Sequence, residues 1–284
     1  MTQRVEVFDV SLRDGGHRTD FNFQDEVLEQ ILTAVDRSGI EYIEIGYRNG
    51  PIQVIKNIGR AGLCQRDYLH FCAPLIRQAK IAVMVYPRNI AILDIKELEA
   101  CGVTLLRICV PKGQLAEAAA IAAIAKQTGL KISFNFINMS QYAENELDKI
   151  IEAALQYAPD IIYLADSNGS VLPDKISSLY KKYTSQCSLP FGFHAHDNLG
   201  LAQANAIAAI HAGATYIDAS LGGMGKGIGN LRTEFFAAYL QATKIKDYNL
   251  QALLSASNYV REVLKIGQEG IELDEFNRAI ANDL

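Results

Sequence analysis

Short, mostly apolar runs alternate along the chain with longer stretches whose apolar residues recur at helical spacing. The runs cover residues 5–10, 42–46, 81–86, 104–110, 131–137, 160–165, 190–194 and 215–221. None of them alternates cleanly between apolar and polar, which predicts strands covered by helices on one side and by core on the other. Residues 24–37 and 114–127 read most clearly as helices. Gly39, Gly102, Gly129 and Gly213 each stand where a helix ends and the chain turns toward the next strand. Eight strand–helix units, spaced about 30 residues apart on average, predict an α/β fold closed into a (β/α)8 TIM barrel. A doubly wound open sheet more often uses five or six strands. No stretch rich in Pro, Gly or Ser divides the chain, so the expectation is one barrel over residues 1–246 and a short helical extension over 247–284.

Composition narrows the class further. A barrel of this kind takes roughly 250 residues, which the 284 residues accommodate with a short remainder. At 49% hydrophobic and 21% charged the chain is no disordered polymer. A formal net charge of −5 argues against a general nucleic-acid binder. Residues 1–9 lack the charged-then-apolar pattern of a signal peptide, and no apolar run approaches the ~18 residues of a membrane span. A cytoplasmic protein is expected. Cys64, Cys72, Cys101, Cys109 and Cys187 are odd in number and form no C-x-x-C pair, so buried reduced thiols are expected rather than a disulfide framework.

In such a barrel the active site lies at the C-terminal ends of the strands, and the polar residues there carry the candidate chemistry. His194 and His196 are two residues apart on an extended segment, so both imidazoles face one point inside the barrel mouth. With Asp14 from the end of the first strand they make a set of two histidines and a carboxylate, suited to an open six-coordinate site for Mn2+, Mg2+, Fe2+ or Co2+. Arg13, beside Asp14, is placed to stabilise an enolate or a carboxylate. Gly15 and Gly16 allow a tight turn, and His17 beyond them is a candidate base. Glu44 is expected to hydrogen-bond Arg13 or a substrate, and Asn135 to point into the barrel. Asp166 is expected to stand behind the ligands or to cap the helix that starts near Pro173. The glycine-rich run 222–230 matches neither a Walker A loop nor G-x-G-x-x-G. It reads as a mobile loop closing over the site, with Asn230 orienting the metal ligands and Lys226 solvated. His70 and His211 sit in helical contexts and are assigned structural roles.

These residues resemble the DRE-TIM metallolyase superfamily. The carrying motifs are Asp9-Val10-Ser11-Leu12-Arg13-Asp14-Gly15, Phe193-His194-Ala195-His196-Asp197-Asn198-Leu199-Gly200-Leu201-Ala202, and Gly213-Ala214-Thr215-Tyr216-Ile217-Asp218 with Gly223-Met224-Gly225 and Gly229-Asn230. They span the barrel from its first strand to its last. The resemblance implies a (β/α)8 barrel that binds Mn2+ or Mg2+, or another divalent ion such as Co2+, through Asp14, His194 and His196. It also implies that Arg13 stabilises an enolate. Position 17 separates the branches. Claisen-type synthases and 3-hydroxy-3-methylglutaryl-CoA lyases usually read R-D-G-x-Q, whereas His17 here is similar to the R-D-G-x-H of the 4-hydroxy-2-oxovalerate aldolases, where the histidine is the catalytic base. The glycine loop also lacks the cysteine of the CoA lyases.

The resemblance implies a metal-dependent lyase that cleaves or forms a 4-hydroxy-2-oxo acid from pyruvate and an aldehyde. The alternatives are a Claisen-type acyl-CoA condensation, a CoA-lyase-like cleavage, a non-haem iron oxygenase and a non-catalytic barrel. Bacterial members of this branch carry a longer C-terminal helical domain that docks an aldehyde dehydrogenase and supplies a tyrosine. No tyrosine of this chain matches that position, so such a partner is not expected. The expected partners are pyruvate and an aldehyde, with a homodimer as the candidate assembly and neither nucleic acid nor membrane.

Overall fold

The computed structural model describes residues 4–268 and 270–282. Met1–Gln3, Glu269, Asp283 and Leu284, parts of the expected barrel start and C-terminal extension, lie outside the described residues.

Eight parallel strands close into a barrel in chain order: β1 (Glu6–Asp9), β2 (Tyr42–Arg48), β3 (Lys80–Val85), β4 (Val103–Val110), β5 (Lys131–Phe136), β6 (Ile161–Asp166), β7 (Phe191–Ala195) and β8 (Tyr216–Ala219). β8 returns to β1 with Phe8 opposite Asp218, which closes the ring. Every strand is buried along nearly its whole length, as the unbroken apolar runs require. The outer ring comprises α1 (Asp25–Ser38), α2 (Arg66–Cys72), α3 (Ile92–Ala100), α4 (Leu115–Ala125), α5 (Glu144–Leu155), α6 (Pro173–Gln186), α7 (Ala202–His211) and α8 (Thr233–Ala242). Two further helices follow, α9 (Leu250–Val263) and α10 (Leu273–Ala281).

α1 shows why these stretches are helical. Val27, Leu28, Ile31, Leu32 and Val35 recur on one buried face, and Asp25 and Glu26 complement the dipole at its start. Gly39 ends the helix at φ 90°, a left-handed conformation that a side chain would disfavour. Gly129, by contrast, has no left-handed backbone; its N–H donates to Glu99 Oε1 at 2.5 Å, so the turn after α4 does not depend on glycine in the way the sequence suggested. α9 packs against α1, α8 and the turn Leu221–Gly223, and the Asn249 N–H donates to the Ser38 carbonyl at 2.9 Å. α10 reaches the mouth of the barrel instead. The five cysteines are free thiols, and all but Cys187 are buried. No helix among the described residues is long and apolar enough to cross a membrane.

The barrel interior is layered. Its floor is aromatic: Phe8 stacks on Tyr42 with ring centroids 4.1 Å apart and meets the Tyr163 ring edge-on at 5.8 Å. Directly above, the fully buried Arg107 from β4 lies 4.3 Å from the Tyr163 ring and 4.9 Å from the Phe8 ring. It pairs with Asp218 at 2.8 Å and Glu44 at 3.0 Å. This charged layer carries the open end of the barrel on its upper side.

Candidate metal centre and active site

The turn after β1 brings the first group of polar residues inward. The N–H groups of Arg13, Asp14 and Gly15 all donate to the Val10 carbonyl, at 3.2, 2.9 and 3.3 Å, which folds the chain back at the strand end. Neither glycine has room for a side chain, because a Cβ on Gly15 would meet Met224 and one on Gly16 would meet Phe21. The single 3-10 turn Gly15–Arg18 then presents His17. Beyond the intervening β8, β7 supplies His194, and His196 follows two residues later on the same side.

Asp14, His194 and His196 converge, with ligand atoms within 4.8 Å of one another. The two Nε2 atoms are 3.3 Å apart, and they lie 3.9 and 4.0 Å from the Asp14 carboxylate oxygens. What stands behind each imidazole decides its protonation. His194 Nδ1 is 3.0 Å from Asp218 Oδ2, and His196 Nδ1 is 3.2 Å from the Lys226 carbonyl. Both partners accept only, so both Nδ1 atoms carry a hydrogen, and the two Nε2 atoms are left turned toward Asp14. Two imidazole nitrogens and a carboxylate thus face one point, a donor set suited to a divalent cation. Burial pushes the His196 pKa down to about 4, against the pull of Asp14, which keeps that ring neutral. Burial would raise the Asp14 carboxyl, but the adjacent Arg13 guanidinium overcomes it and holds it well below its ordinary range.

Arg13 is gripped from two sides. Its Nε donates to Glu44 Oε2 at 2.6 Å and its Nη1 to Asp14 Oδ1 at 2.6 Å, while the guanidinium lies 5.8 Å from the Tyr47 ring. Glu44 therefore bridges Arg13 and Arg107, the first of the two roles expected for it. Asn230 Nδ2 donates to Asp14 Oδ2 at 2.8 Å and to the Met224 carbonyl at 3.2 Å, so it does hold a candidate ligand. Asn135 points into the barrel, where its amide, turned to suit its neighbours, accepts from Arg107 and donates to Ser133. His17 packs edge-on against Phe21 and Tyr47, and burial lowers its pKa below 6.5, with Asp14 opposing and Arg13 reinforcing. His211 meets the Tyr239 hydroxyl on the outer surface, and His70 lies within α2.

Two expectations are corrected. Of the two roles expected for Asp166, the capping of α6 falls, since its N-cap is Leu172, while the Asp166 carbonyl does stand behind a candidate ligand, accepting from the His196 N–H at 3.4 Å. Its carboxylate accepts from the N–H groups of Ser170 and Val171, at 3.2 and 3.0 Å, and so shapes the loop after β6. The glycine-rich run is built into the wall rather than hung over the site as a lid. Asn230 N–H donates to Gly223 O, Asp197 N–H to Gly229 O, Ile228 N–H to Asn198 Oδ1, and Arg18 to Gly227 O. Lys226 exposes its side chain as expected, yet its main chain touches the centre: its N–H donates to Asp14 Oδ2 at 3.3 Å and its carbonyl accepts from His196.

Sequence reasoning gave no role to Asp218, although it closes one of the carrying motifs, and missed Arg107, Tyr47 and Arg278. Asp218 and Arg107 sat inside apolar runs, where the only signal was a charge in a strand otherwise fit for burial. Tyr47 enters through a bulge in β2 between Glu44 and Tyr47, which brings it to the same side as Glu44. Gly46 makes the bulge possible, since at φ 153° a Cβ would lie 1.8 Å from the Ala61 carbonyl oxygen. Arg13, Asp14, His17, Tyr47, Asp218 and Arg278 all line one cavity of about 370 Å3 around the two histidines.

The family model described as HMGL-like matches residues 4–260. The chain belongs to the HMGL-like family. It is 31% identical over 283 residues to a 4-hydroxy-2-oxovalerate aldolase of Geobacillus genomosp. 3, covering 95% of this chain and 84% of the relative. It is 32% identical over 240 residues to another from Pelotomaculum thermopropionicum, covering 84% of this chain and 70% of that one. Among solved structures it superposes on the N-terminal domain of a putative aldolase from Bacteroides vulgatus, with TM-score 0.87 and 28% identity, over 98% of this chain and 93% of that one. This HMGL-like barrel is thus an enzyme of the lyase class, in a family of aldolases that depend in general on divalent metal ions.

Proposed function

We propose that the protein is a metal-dependent pyruvate aldolase that cleaves or forms a 4-hydroxy-2-oxo acid, with Mn2+ or Mg2+ held by Asp14, His194 and His196. One observation supports the reading: two imidazole nitrogens and an ionised carboxylate face one point, each fixed from behind by Asp218, Lys226 O or Asn230. Asn230 Oδ1 is, in addition, buried without a hydrogen-bond partner among the described residues. The relatives named 4-hydroxy-2-oxovalerate aldolase support the reaction class.

A divalent ion at this centre supplies Lewis acidity to the keto and carboxylate oxygens of the 2-oxo acid. In the cleavage direction His17 accepts the 4-hydroxyl proton, directly or through a water. The electrons of the C3–C4 bond move into the keto group as the aldehyde leaves. Arg13, locked by Glu44 and Asp14, donates to the oxygen on which charge develops and needs no reorganisation to do so. The lowered His17 pKa keeps that ring unprotonated near neutral pH, as a base must be. Protonation of C3 then releases pyruvate. Pyruvate release from a 4-hydroxy-2-oxo acid is the test: chelation is expected to abolish it and Mn2+ to restore it. Full activity in metal-stripped protein, or in His17→Ala, refutes the assignment.

A further inference from the structure

α10 spans the mouth of the barrel between two anchors. At its C-terminal end Asn282 Oδ1 accepts from Asn168 Nδ2 at 3.1 Å and Ser170 Oγ at 3.0 Å, while its Nδ2 donates to the Ser140 carbonyl at 2.9 Å. On the opposite side Glu275 lies against the glycine loop, its Oε2 2.9 Å from where a Cβ on Gly227 would sit. Arg278, between these anchors, faces the cavity that holds the metal centre.

The charges around that cavity are unevenly placed. Its lining carboxylates are Asp14 and Asp218, both at the bottom and both engaged by arginine. At the rim stand Arg278, Lys226 and the neutral polar groups Asn138, Ser167 and Asn168. Among the described residues the Arg278 guanidinium donates to Glu275 alone, through Nη2. That contact steadies the side chain and leaves further N–H donors for a ligand. If the 2-oxo acid occupies the bottom of the site, as the aldolase reading on which this step rests requires, the rim reads the other half of the substrate.

We propose that Arg278 binds an anionic group, carboxylate or phosphate, at the end of the aldehyde remote from its reacting carbonyl. α10 is then the element that selects the acceptor. A charge-assisted hydrogen bond at a partly closed rim predicts a preference of about 10- to 100-fold for an anionic aldehyde over a neutral one of matched length.

The test uses the full chain with Mn2+, pyruvate and two matched pairs: butanal with succinic semialdehyde, and glyceraldehyde with glyceraldehyde 3-phosphate. The readout is the ratio of kcat/KM within each pair, and the pair with the larger ratio identifies carboxylate or phosphate as the group bound. In Arg278→Ala the ratio is expected to fall toward one, and in Arg278→Lys to recover in part; melting curves confirm that both variants fold. A wild-type ratio near one overturns the proposal, as does a ratio that survives Arg278→Ala. So does an equal loss on both members of a pair. Exchange of the pyruvate methyl protons in D2O, followed by NMR without aldehyde, separates the two levels. Exchange with no charge preference refutes the role of Arg278 alone, whereas no exchange in the wild type refutes the aldolase reading and this assignment with it.

Discussion

Replacing Asp218 by Asn separates a ligand-positioning role from mere support of the fold. Its Oδ2 accepts from Arg107 at 2.8 Å and from His194 Nδ1 at 3.0 Å, in a site where both carboxylate and guanidinium are fully buried. At an effective dielectric of ~20 the Arg107 attraction alone amounts to about 6 kcal/mol, most of it offset by desolvation of the two ions. Stranding a buried charge costs about 3–5 kcal/mol, but Arg107 keeps Glu44 at 3.0 Å, so Asp218→Asn should cost about 1–3 kcal/mol. At roughly 2 °C per kcal/mol for a domain of this size, the melting temperature should fall by about 2–6 °C. The second effect is specific. The Asn amide keeps the shape but removes the anion that fixes the Nδ1–H tautomer of His194, so Mn2+ affinity should fall about 10- to 100-fold. Isothermal titration with Mn2+ at a temperature where both proteins are folded measures this directly. A lowered melting temperature with unchanged Mn2+ affinity would show that Asp218 supports only the barrel.

Three further outcomes follow from the geometry. In His17→Ala, kcat for retro-aldol cleavage should fall about 10²- to 10⁴-fold, the usual contribution of a positioned base. Because burial lowers the His17 pKa, its base form persists at more acidic pH than for a free imidazole. The acid limb of kcat/KM should therefore be centred below 6.5, and a limb centred above pH ~7 contradicts the assignment. Gly46→Ala should destabilise the fold by about 3 kcal/mol or more, since the new Cβ meets main chain rather than a movable side chain; an unchanged urea midpoint would refute this.

How much of this was legible in the sequence differs from residue to residue. The strands were readable because parallel β-structure buried on both faces leaves unbroken apolar runs, and their observed ends lie within one or two residues of those runs. Asp14, His194 and His196 were readable because strand ends converge in a barrel and H-x-H on an extended segment has one geometry. Tyr47 was not, because strict alternation assigns it the wrong face and only the bulge at Gly46 reverses that. Arg107 and Asp218 required knowing that the middle layer of this barrel is ionic, which no local pattern reveals. Arg278 lay beyond reach for another reason: the place of α10 depends on Asn282 finding Asn168, Ser170 and Ser140, partners more than a hundred residues away. The glycine loop was misread because flexibility was inferred from composition, while the contacts that pin it come from Arg18 and Asn198.

The ionic layer beneath the mouth has a consequence in the overall charge of the centre. Within the cluster, Arg13 and Arg107 against Asp14, Glu44 and Asp218 leave one net negative charge. On the proposed function, a divalent cation would bring the cluster to one net positive charge, and a monoanionic 2-oxo acid would bring it to zero. With metal and substrate both bound, as the proposed function has it, this cluster would be electrically balanced. Cation uptake and keto-acid uptake should accordingly reinforce each other, each binding more tightly in the presence of the other.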